Sequence, residues 1–304
     1  MAKDFTILDG GMGRLLERLG APFRLPEWSA LSLIEAPEYV HRAHSAYVES
    51  GAEIITTNSY GLVPHMLGEE RFATEAQALA DRAGQIARKV ADEAPHKVIV
   101  AGSLPPLFES YRPDRFIATE APNILAPLVA GLSPHVDVWL IETQSSIKEA
   151  LAALAAIAET GRPAFVSYTL KDEDGRTGPP LLRSGESITD AVTAALGAGA
   201  QAILFNCSQP EVMSAAIIAA RKAIDLSDTP GAGLGVYANA FVPEPPSDEP
   251  YAGISEIRAD LDPANYLKWV HRWVQQGATI VGGCCGIGPE HIAAIHESRP
   301  SAEV

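Results

Sequence analysis

Residues 278–290 read ATIVGGCCGIGPE, and this stretch indicates how the chain is built. A short apolar run that ends in two β-branched residues is followed by two glycines and then by two adjacent cysteines, Cys284 and Cys285. The third cysteine of the chain, Cys207, follows another apolar run, residues 202–205, in the same way. All three thiols therefore come just after the carboxyl end of a predicted strand.

The same pattern, a short apolar run followed by small or polar residues and then by a helical pattern, recurs along the chain. The predicted strands are residues 5–8, 53–57, 98–101, 136–141, 164–168, 202–205, 234–238 and 279–281. Continuous apolar runs that alternate with helices are typical of a parallel sheet covered on both faces. Eight such units in 304 residues predict an α/β protein with a closed (β/α)8 TIM barrel, forming a single domain over residues 1–304.

Two segments between the strands carry further signals. Ser146 and Glu149 have the spacing of a capping box at the start of a helix. An apolar stripe is predicted to follow on that helix: Ile147, Leu151, Leu154 and Ile157. Residues 241–260, rich in Pro, Glu and Ser, are the least regular part of the chain and are predicted to be disordered or to form a lid.

Charge and composition exclude several classes of function. With 38 acidic and 23 basic residues the net charge is −15, which argues against nucleic acid or an anionic membrane surface as a partner. No run of about 18 uncharged apolar residues predicts a membrane span, and the amino terminus lacks the apolar run of a signal peptide. Three cysteines do not make a disulfide framework, which favours a reducing cytoplasm.

The cysteine pattern leaves three interpretations open. The thiols could share one metal ion, for which zinc is the best match; they could be unrelated buried thiols; or the adjacent pair could be redox-active. Adjacent side chains on a regular strand point to opposite faces, so a shared ion requires a sharp turn at Cys284 and Cys285. Gly282, Gly283 and Gly286 supply the necessary backbone freedom.

Other strand ends carry groups suited to an amino-acid ligand. Gly10, Gly11 and Met12 lie between a strand and a helix, where free backbone amides favour a carboxylate or phosphate. Asp9 and Glu142 follow predicted strands and could bind an ammonium group. The alternative is that both carboxylates are helix caps or solvated charges at the rim.

His41 and His44 are three residues apart on a predicted helix, so they could in principle share a metal ion. They lie in the middle of that helix rather than at a strand end. We interpret both as surface residues.

Five motifs, spread over nearly the whole chain, form a specific combination. They are Asp9-Gly10-Gly11-Met12-Gly13, Thr56-Thr57-Asn58-Ser59-Tyr60, Glu142-Thr143, Asn206-Cys207-Ser208 and Gly282-Gly283-Cys284-Cys285-Gly286. This combination resembles the homocysteine S-methyltransferase family. The resemblance implies a (β/α)8 barrel in which zinc is bound by Cys207, Cys284 and Cys285.

The resemblance also assigns expected roles to the remaining residues. Asp9 and Glu142 resemble the carboxylates near the homocysteine amino group, and the glycine turn with Met12 resembles the part that receives its carboxylate. Tyr60 resembles a tyrosine that can approach the zinc in the betaine-using branch. Of the neighbouring strand-end residues, Asn206 is expected to bind the substrate, and Asn58 and Thr143 are expected to act with Tyr60 on the donor side.

The length of the chain and residues 167–172 look most like the bacterial and plant enzymes that use S-methylmethionine. The resemblance therefore implies zinc-dependent methyl transfer from a sulfonium, S-methylmethionine or S-adenosylmethionine, to the thiol of homocysteine, giving methionine. The alternatives are a betaine- or corrinoid-dependent enzyme of the same family, a zinc hydrolase on the same barrel, and a non-catalytic zinc- or thiol-binding barrel. All of these readings involve small-molecule ligands, and they leave the oligomeric state open.

Overall fold

The computed structural model of the protein describes residues 5–173, 178–242 and 255–299. The strands are β1 (Thr6–Ile7), β2 (Ile54–Thr56), β3 (Ile99–Leu104), β4 (Val138–Gln144), β5 (Ala164–Tyr168), β6 (Ala202–Asn206), β7 (Gly233–Tyr237) and β8 (Ile280–Val281). All pair in parallel, in the order β1-β8-β7-β6-β5-β4-β3-β2. A parallel bridge between Leu8 and Ile54 joins the two ends of this sheet, so the predicted (β/α)8 barrel is confirmed.

Helices surround the barrel. They are α1 (Met12–Arg18), α2 (Ser29–Glu35), α3 (Pro37–Glu49), α4 (Pro64–Leu67), α5 (Glu69–Glu93), α6 (Ala121–Leu132), α7 (Ile147–Ile157), α8 (Ile188–Gly197), α9 (Pro210–Asp225), α10 (Pro263–Gln275) and α11 (Pro289–Glu297). Short 3-10 turns at Pro113–Arg115 and Ala158–Thr160 complete the regular structure. Within the described ranges, no helix has the length and apolar character needed to cross a membrane.

Two layers of buried apolar side chains stabilise the barrel. The inner cluster is formed by Leu8, Ile54, Ala101, Val138, Leu140, Ala202, Leu204, Tyr237 and Ile280. The outer layer lies between strands and helices and includes the fully buried Trp139 and Trp273. Because the interior is filled by side chains, a ligand site has to lie at an end of the barrel, on the loops that follow the strands.

Strands β3 and β4 continue beyond the ends that the sequence predicts, residues 101 and 141. Their pairing runs on through Ser103 with Leu140 and Leu104 with Ile141, and β4 reaches Gln144. Ladder hydrogen bonds involve only the backbone, so polar side chains do not end a strand whose backbone groups remain paired. The extension places Ser103 and Glu142 in the buried mouth of the barrel.

Ser146 caps α7 as predicted, because its hydroxyl accepts a hydrogen bond from the Glu149 amide. The Glu149 carboxylate reaches back to the Ser145 amide at 2.8 Å, one residue before the cap. The apolar stripe predicted for this helix is wrong at Leu151, which is 36% exposed. Ala150 and Ala153 lie on the buried face instead. Small side chains let the helix approach the sheet closely, which turns Leu151 toward solvent. The predicted irregular segment falls largely on residues 243–254, outside the described residues.

The interpretation of His44 as a surface residue is wrong. His44 is fully buried on the inner face of α3, together with Val40 and Tyr47, at the spacing of one helical face. Neither ring nitrogen has a hydrogen-bond partner. Burial lowers the pKa of His44 to about 3, so the ring is neutral at physiological pH. His41, one turn earlier, is partly exposed.

The close approach of β8 to β1 gives the first testable prediction. A Cβ atom at Gly282 would lie 2.7 Å from the Leu8 carbonyl oxygen and 2.8 Å from the Asp9 carbonyl oxygen. Gly282→Ala therefore forces the backbone to move, and overpacking typically costs about 1–3 kcal/mol. We expect a lower melting temperature for the metal-free variant in thermal unfolding followed by circular dichroism.

Gly197→Ala is the matched control, because a Cβ atom at the end of α8 would meet no atom within 4 Å. Alanine is also the better helix former, so this variant should be as stable as the wild type or slightly more stable. A Gly282→Ala protein that melts at or above the wild-type temperature would contradict the described packing.

Candidate active site

The three cysteines meet at the mouth of the barrel. Their Sγ atoms all lie within 4.8 Å of one another. In the described part of the chain, this is the one group of His, Cys, Asp and Glu side chains that is spaced to hold a metal ion. Cys207 is buried, whereas Cys284 and Cys285 are partly exposed. The backbone of Cys207 is left-handed, with a φ of 48°, and so departs from the strand conformation directly after β6.

A glycine turn after β1 supports the turn that carries the cysteine pair. A Cβ atom at Gly10 would lie 2.4 Å from the Ile287 carbonyl oxygen, and one at Gly11 would lie 2.6 Å from the Cys284 carbonyl oxygen. The Gly11 amide donates a hydrogen bond to the Ile287 carbonyl at 2.9 Å. Residues without side chains are therefore required here so that the two loops can touch, and the contact fixes Cys284 relative to β1.

Hydrogen bonds among the sulfur atoms divide the charge of the cluster unequally. The thiols of Cys284 and Cys285 lower the pKa of Cys207 well below its usual range. The same contact with Cys207 raises the pKa of Cys284 well above its usual range. Without a metal ion, the cluster therefore holds one thiolate readily, and further thiolates are opposed by repulsion between like charges.

The donor set fits a thiophilic divalent cation. A tetrahedral site with metal–sulfur bonds of about 2.3 Å separates its sulfur ligands by about 3.8 Å. That separation lies inside the 4.8 Å limit of the observed cluster. Three protein thiolates leave one position for a further ligand, as in catalytic sites rather than closed structural ones. A cation bound to Cys207, Cys284 and Cys285 would also remove the repulsion between their thiolates.

Two buried carboxyl groups add to the negative charge of the site. The Asp9 carboxylate accepts hydrogen bonds from the Thr56 amide at 2.7 Å and from the Thr56 hydroxyl at 3.0 Å. The Glu142 carboxylate accepts hydrogen bonds from the Ser103 hydroxyl at 2.5 Å and from the Tyr237 hydroxyl at 3.3 Å. Both carboxyl groups are thus held in fixed orientations at strand ends.

Burial is the main reason that both carboxyl groups are weaker acids than usual. It raises the pKa of Asp9 to about 7 and that of Glu142 to about 8. The nearby charges of Cys207 and Asp9 raise the pKa of Glu142 further. A ligand with a positive charge at this point would favour the ionised carboxylates, because an opposite charge nearby lowers the pKa of a carboxyl group.

Asn206 holds the backbone of Thr143 beside the cysteines. Its amide oxygen accepts from the Thr143 amide at 3.0 Å and from the Ser167 hydroxyl at 2.7 Å, and its amide nitrogen donates to the Thr143 hydroxyl at 2.8 Å. Thr143 is left-handed, with a φ of 60°, and its side chain lies close to Cys207 and lowers the pKa of that thiol. Asn206 therefore stabilises a strained backbone that contacts Cys207.

Two tyrosines reach the same place from different loops. The Tyr60 hydroxyl lies 2.7 Å from Ser110 Oγ and also hydrogen-bonds to Thr143. The Tyr111 hydroxyl lies close to the sulfur of Cys207 and lowers the pKa of that thiol. In the described chain, four residues other than glycine have a positive φ, and three of them, Tyr111, Thr143 and Cys207, meet at this point. Such backbone strain is concentrated at functional sites.

The chain matches a known family over almost its whole length. The sequence model of the family described as homocysteine S-methyltransferase matches residues 6–299. The chain belongs to the homocysteine S-methyltransferase family. The expectation that it is an enzyme of this family is thereby confirmed.

Individual relatives agree with this assignment. A homocysteine S-methyltransferase of Escherichia coli strain K12 is 30% identical over 320 residues, which cover 96% of this chain and 94% of the relative. Homocysteine S-methyltransferase 2 of Zea mays is 27% identical over 323 residues, which cover 96% of this chain and 89% of the relative. The crystal structure of the homocysteine methyltransferase MmuM from Escherichia coli, in its metallated form, matches with a TM-score of 0.76 at 27% identity, covering 98% of this chain and 97% of that chain.

The structure uses some of the residues expected in the site for internal contacts. The Asn58 amide donates to the Ser29 carbonyl at 3.0 Å, so it ties β2 to the start of α2. The Gly11 amide donates its hydrogen bond to the Ile287 carbonyl and is therefore not available to a ligand. Met12, which begins α1, is partly buried. Asn206 is engaged by Thr143 and Ser167 as described above.

Sequence reasoning missed Tyr111, Ser103 and Tyr237. Tyr237 belongs to predicted strand seven, where the alternation of side chains would have placed it inside the barrel. Ser103 lies two residues beyond the predicted end of strand three, so a longer strand prediction would have found it. Tyr111 lies in the loop after β3, and no sequence pattern marks it.

The raised pKa of Glu142 predicts how stability depends on pH in the metal-free protein. An ordinary glutamate ionises near 4.5, whereas the folded protein keeps the proton up to about 8. The unfolded state therefore loses its proton first, and stability falls as the pH rises between these values. Glu142→Gln removes this proton uptake, so its melting temperature should fall less than that of the wild type between about pH 5 and about pH 8.

Thermal unfolding of both metal-free proteins across this pH range tests the effect. Glu297→Gln, at an exposed position of α11, is the matched control and should follow the wild-type profile. Parallel profiles for Glu142→Gln and the wild type would show that Glu142 is not buried as described.

Proposed function

We propose that this chain is a zinc-dependent enzyme that transfers a methyl group from a sulfonium donor to the thiol of homocysteine, forming methionine. The observation that carries the proposal is the convergence of three cysteine sulfurs, within 4.8 Å, at the mouth of a barrel of this family. An all-sulfur donor set favours binding of a thiol acceptor, whereas hydrolytic zinc sites mostly use histidine and carboxylate ligands.

The acceptor has to react as a thiolate. A free alkyl thiol has a pKa of about 8.5, so only a few per cent is ionised at neutral pH. Zinc bound to Cys207, Cys284 and Cys285 would supply an acceptor thiolate at pH 7, with release of the thiol proton to solvent. Because three thiolates already surround the ion, the acceptor sulfur would stay electron-rich and nucleophilic.

The remaining residues would bind the amino-acid part of the acceptor. Asp9 and Glu142, both buried and both poorly ionised without a partner, would ionise to pair with the ammonium group. The first amides of α1, from Met12 onward, face the same end of the barrel and would receive the carboxylate. A site for an ammonium group and a site for a carboxylate, both beside a site for a thiol, match the functional groups of a thiol amino acid.

The transfer itself needs alignment rather than acid–base chemistry. The acceptor sulfur forms a bond to the methyl carbon as the bond from that carbon to the sulfonium sulfur breaks, and the donor leaves as a neutral thioether. No proton has to be given to the leaving group. Positioning of two reactants can contribute about 7–11 kcal/mol, and Tyr60, Asn58 and Thr143 are the residues that we assign to the donor side.

Loss of a cysteine should remove both metal and activity. In Cys207→Ala we expect loss of stoichiometric zinc, measured by metal analysis after dialysis, and loss of essentially all methionine formation. Glu142→Ala is the contrast, because it should retain zinc and chiefly raise the KM for homocysteine. Ser214→Ala, on α9 outside the barrel, makes a comparable truncation and should change neither property. A Cys207→Ala protein with full zinc and full rate would refute the ligand assignment.

A panel of donors tests the reaction. The zinc-loaded protein is incubated with homocysteine and, separately, S-methylmethionine, S-adenosylmethionine or betaine, and methionine is measured. We expect turnover with a sulfonium donor, because a neutral thioether is a better leaving group than the tertiary amine that betaine would release. Turnover with betaine alone, or only with a methyl-corrinoid protein, would replace the proposed donor. Tight zinc with no turnover on any donor would favour a non-catalytic thiol-binding barrel.

A further inference from the structure

Tyr111 lies in the loop that follows β3, and its hydroxyl lies close to the sulfur of Cys207. Tyr111 is 40% exposed, yet its hydroxyl reaches a sulfur that is buried. Its backbone is left-handed, with a φ of 67°, which is uncommon for a bulky residue. An exposed aromatic residue in a strained conformation needs other contacts to hold it there.

A closed series of contacts supplies that restraint. The Arg183 guanidinium lies over the Tyr111 ring, 4.5 Å from its centroid. Arg183 forms an ion pair of 2.7 Å with Asp172, and both side chains are largely buried. The Asp172 carboxylate in turn accepts a hydrogen bond from the Gln209 amide at 3.0 Å. Gln209 is two residues beyond Cys207, so the series of contacts ends on the backbone of the turn that carries Cys207.

We propose that Arg183, held by Asp172, is a positioning residue that keeps the Tyr111 hydroxyl on Cys207 and thereby limits the access of acceptor thiols to the cysteine cluster. Tyr111 lies close to both Cys207 and Cys285, so its side chain would stand in the path of a thiol that approaches the cluster. The proposal rests on the proposed function only in taking a thiol as the ligand of the cluster.

The physical consequence is a competition between Tyr111 and the acceptor. When only a fraction of the protein is open, the apparent dissociation constant of a ligand is the intrinsic constant divided by that fraction. Weakening the contact that holds Tyr111 increases the open fraction, so thiols should bind more tightly. A residue that merely built the wall of the pocket would have the opposite effect, because its loss would remove contacts with the ligand.

Binding of two thiols to cobalt-substituted protein tests this prediction. L-homocysteine and 2-mercaptoethanol are titrated separately, in the absence of donor, and the sulfur-to-cobalt charge-transfer band is followed. We expect Arg183→Ala and Tyr111→Phe to bind both thiols about two- to fivefold more tightly than the wild type, the range that a cation–π contact at a partly exposed site supports. Arg183→Lys retains the positive charge and should lie nearer to the wild type.

Arg272→Ala is the matched control, because Arg272 lies over Trp269 at 4.8 Å on α10, away from the mouth of the barrel. It should leave both titrations unchanged. Unchanged or weaker thiol binding by Arg183→Ala and Tyr111→Phe would overturn the inference, as would the absence of any thiol response. A wild type that binds 2-mercaptoethanol but not homocysteine would refute the proposed acceptor, while the comparison of variants would still decide the role of Arg183.

Discussion

The meeting of three sulfur atoms from two separate turns is the constraint on which the rest of the site depends. Cys207 leaves β6 in a left-handed conformation, and the Cys284–Cys285 turn lies directly on the glycines that follow β1. Neither arrangement is favourable locally, since a left-handed residue other than glycine costs on the order of 1–3 kcal/mol. Both are held by their surroundings. The buried amide of Asn206 fixes Thr143, which lies beside Cys207. The paired strands β1 and β8 bring the Cys284–Cys285 turn onto the glycine turn that follows β1.

Charge compensation explains the composition of the barrel mouth. Three thiols and two carboxyl groups meet at the mouth of the barrel, and three of these groups, on Asp9, Glu142 and Cys207, are buried. The pKa values of the groups are mutually perturbed. Groups of one sign in a desolvated space are stabilised only by protons or by cations. A thiophilic metal ion among the sulfurs and an ammonium group between Asp9 and Glu142 would complete the site. The charges and sulfur atoms at the mouth are therefore consistent with the proposed ligands, a metal cation and a thiol amino acid.

The barrel itself and the candidate site were predictable to different degrees. Apolar runs that alternate with helical segments identified all eight strands, and the cysteines at two strand ends marked the candidate metal site. The ends of β3 and β4 were less predictable, because backbone pairing continues through Ser103 and Glu142 whatever their polarity. His44 was assigned to the surface because it lies in the middle of a helix rather than at a strand end, whereas the packing of α3 buries it without a partner.

The sequence by itself determined the architecture, the family and the three cysteines of the candidate site, because these depend on local periodicity and on motifs that are contiguous in the chain. Only the tertiary structure decided how Tyr111, Asp172 and Arg183 relate to Cys207. Tyr111 lies in the loop after β3, whereas Asp172 and Arg183 lie in the loop after β5 and Cys207 follows β6. Their contacts therefore join parts of the chain that are separate in sequence. No periodicity or spacing encodes such contacts, since the loops take their positions from the closed barrel that carries them.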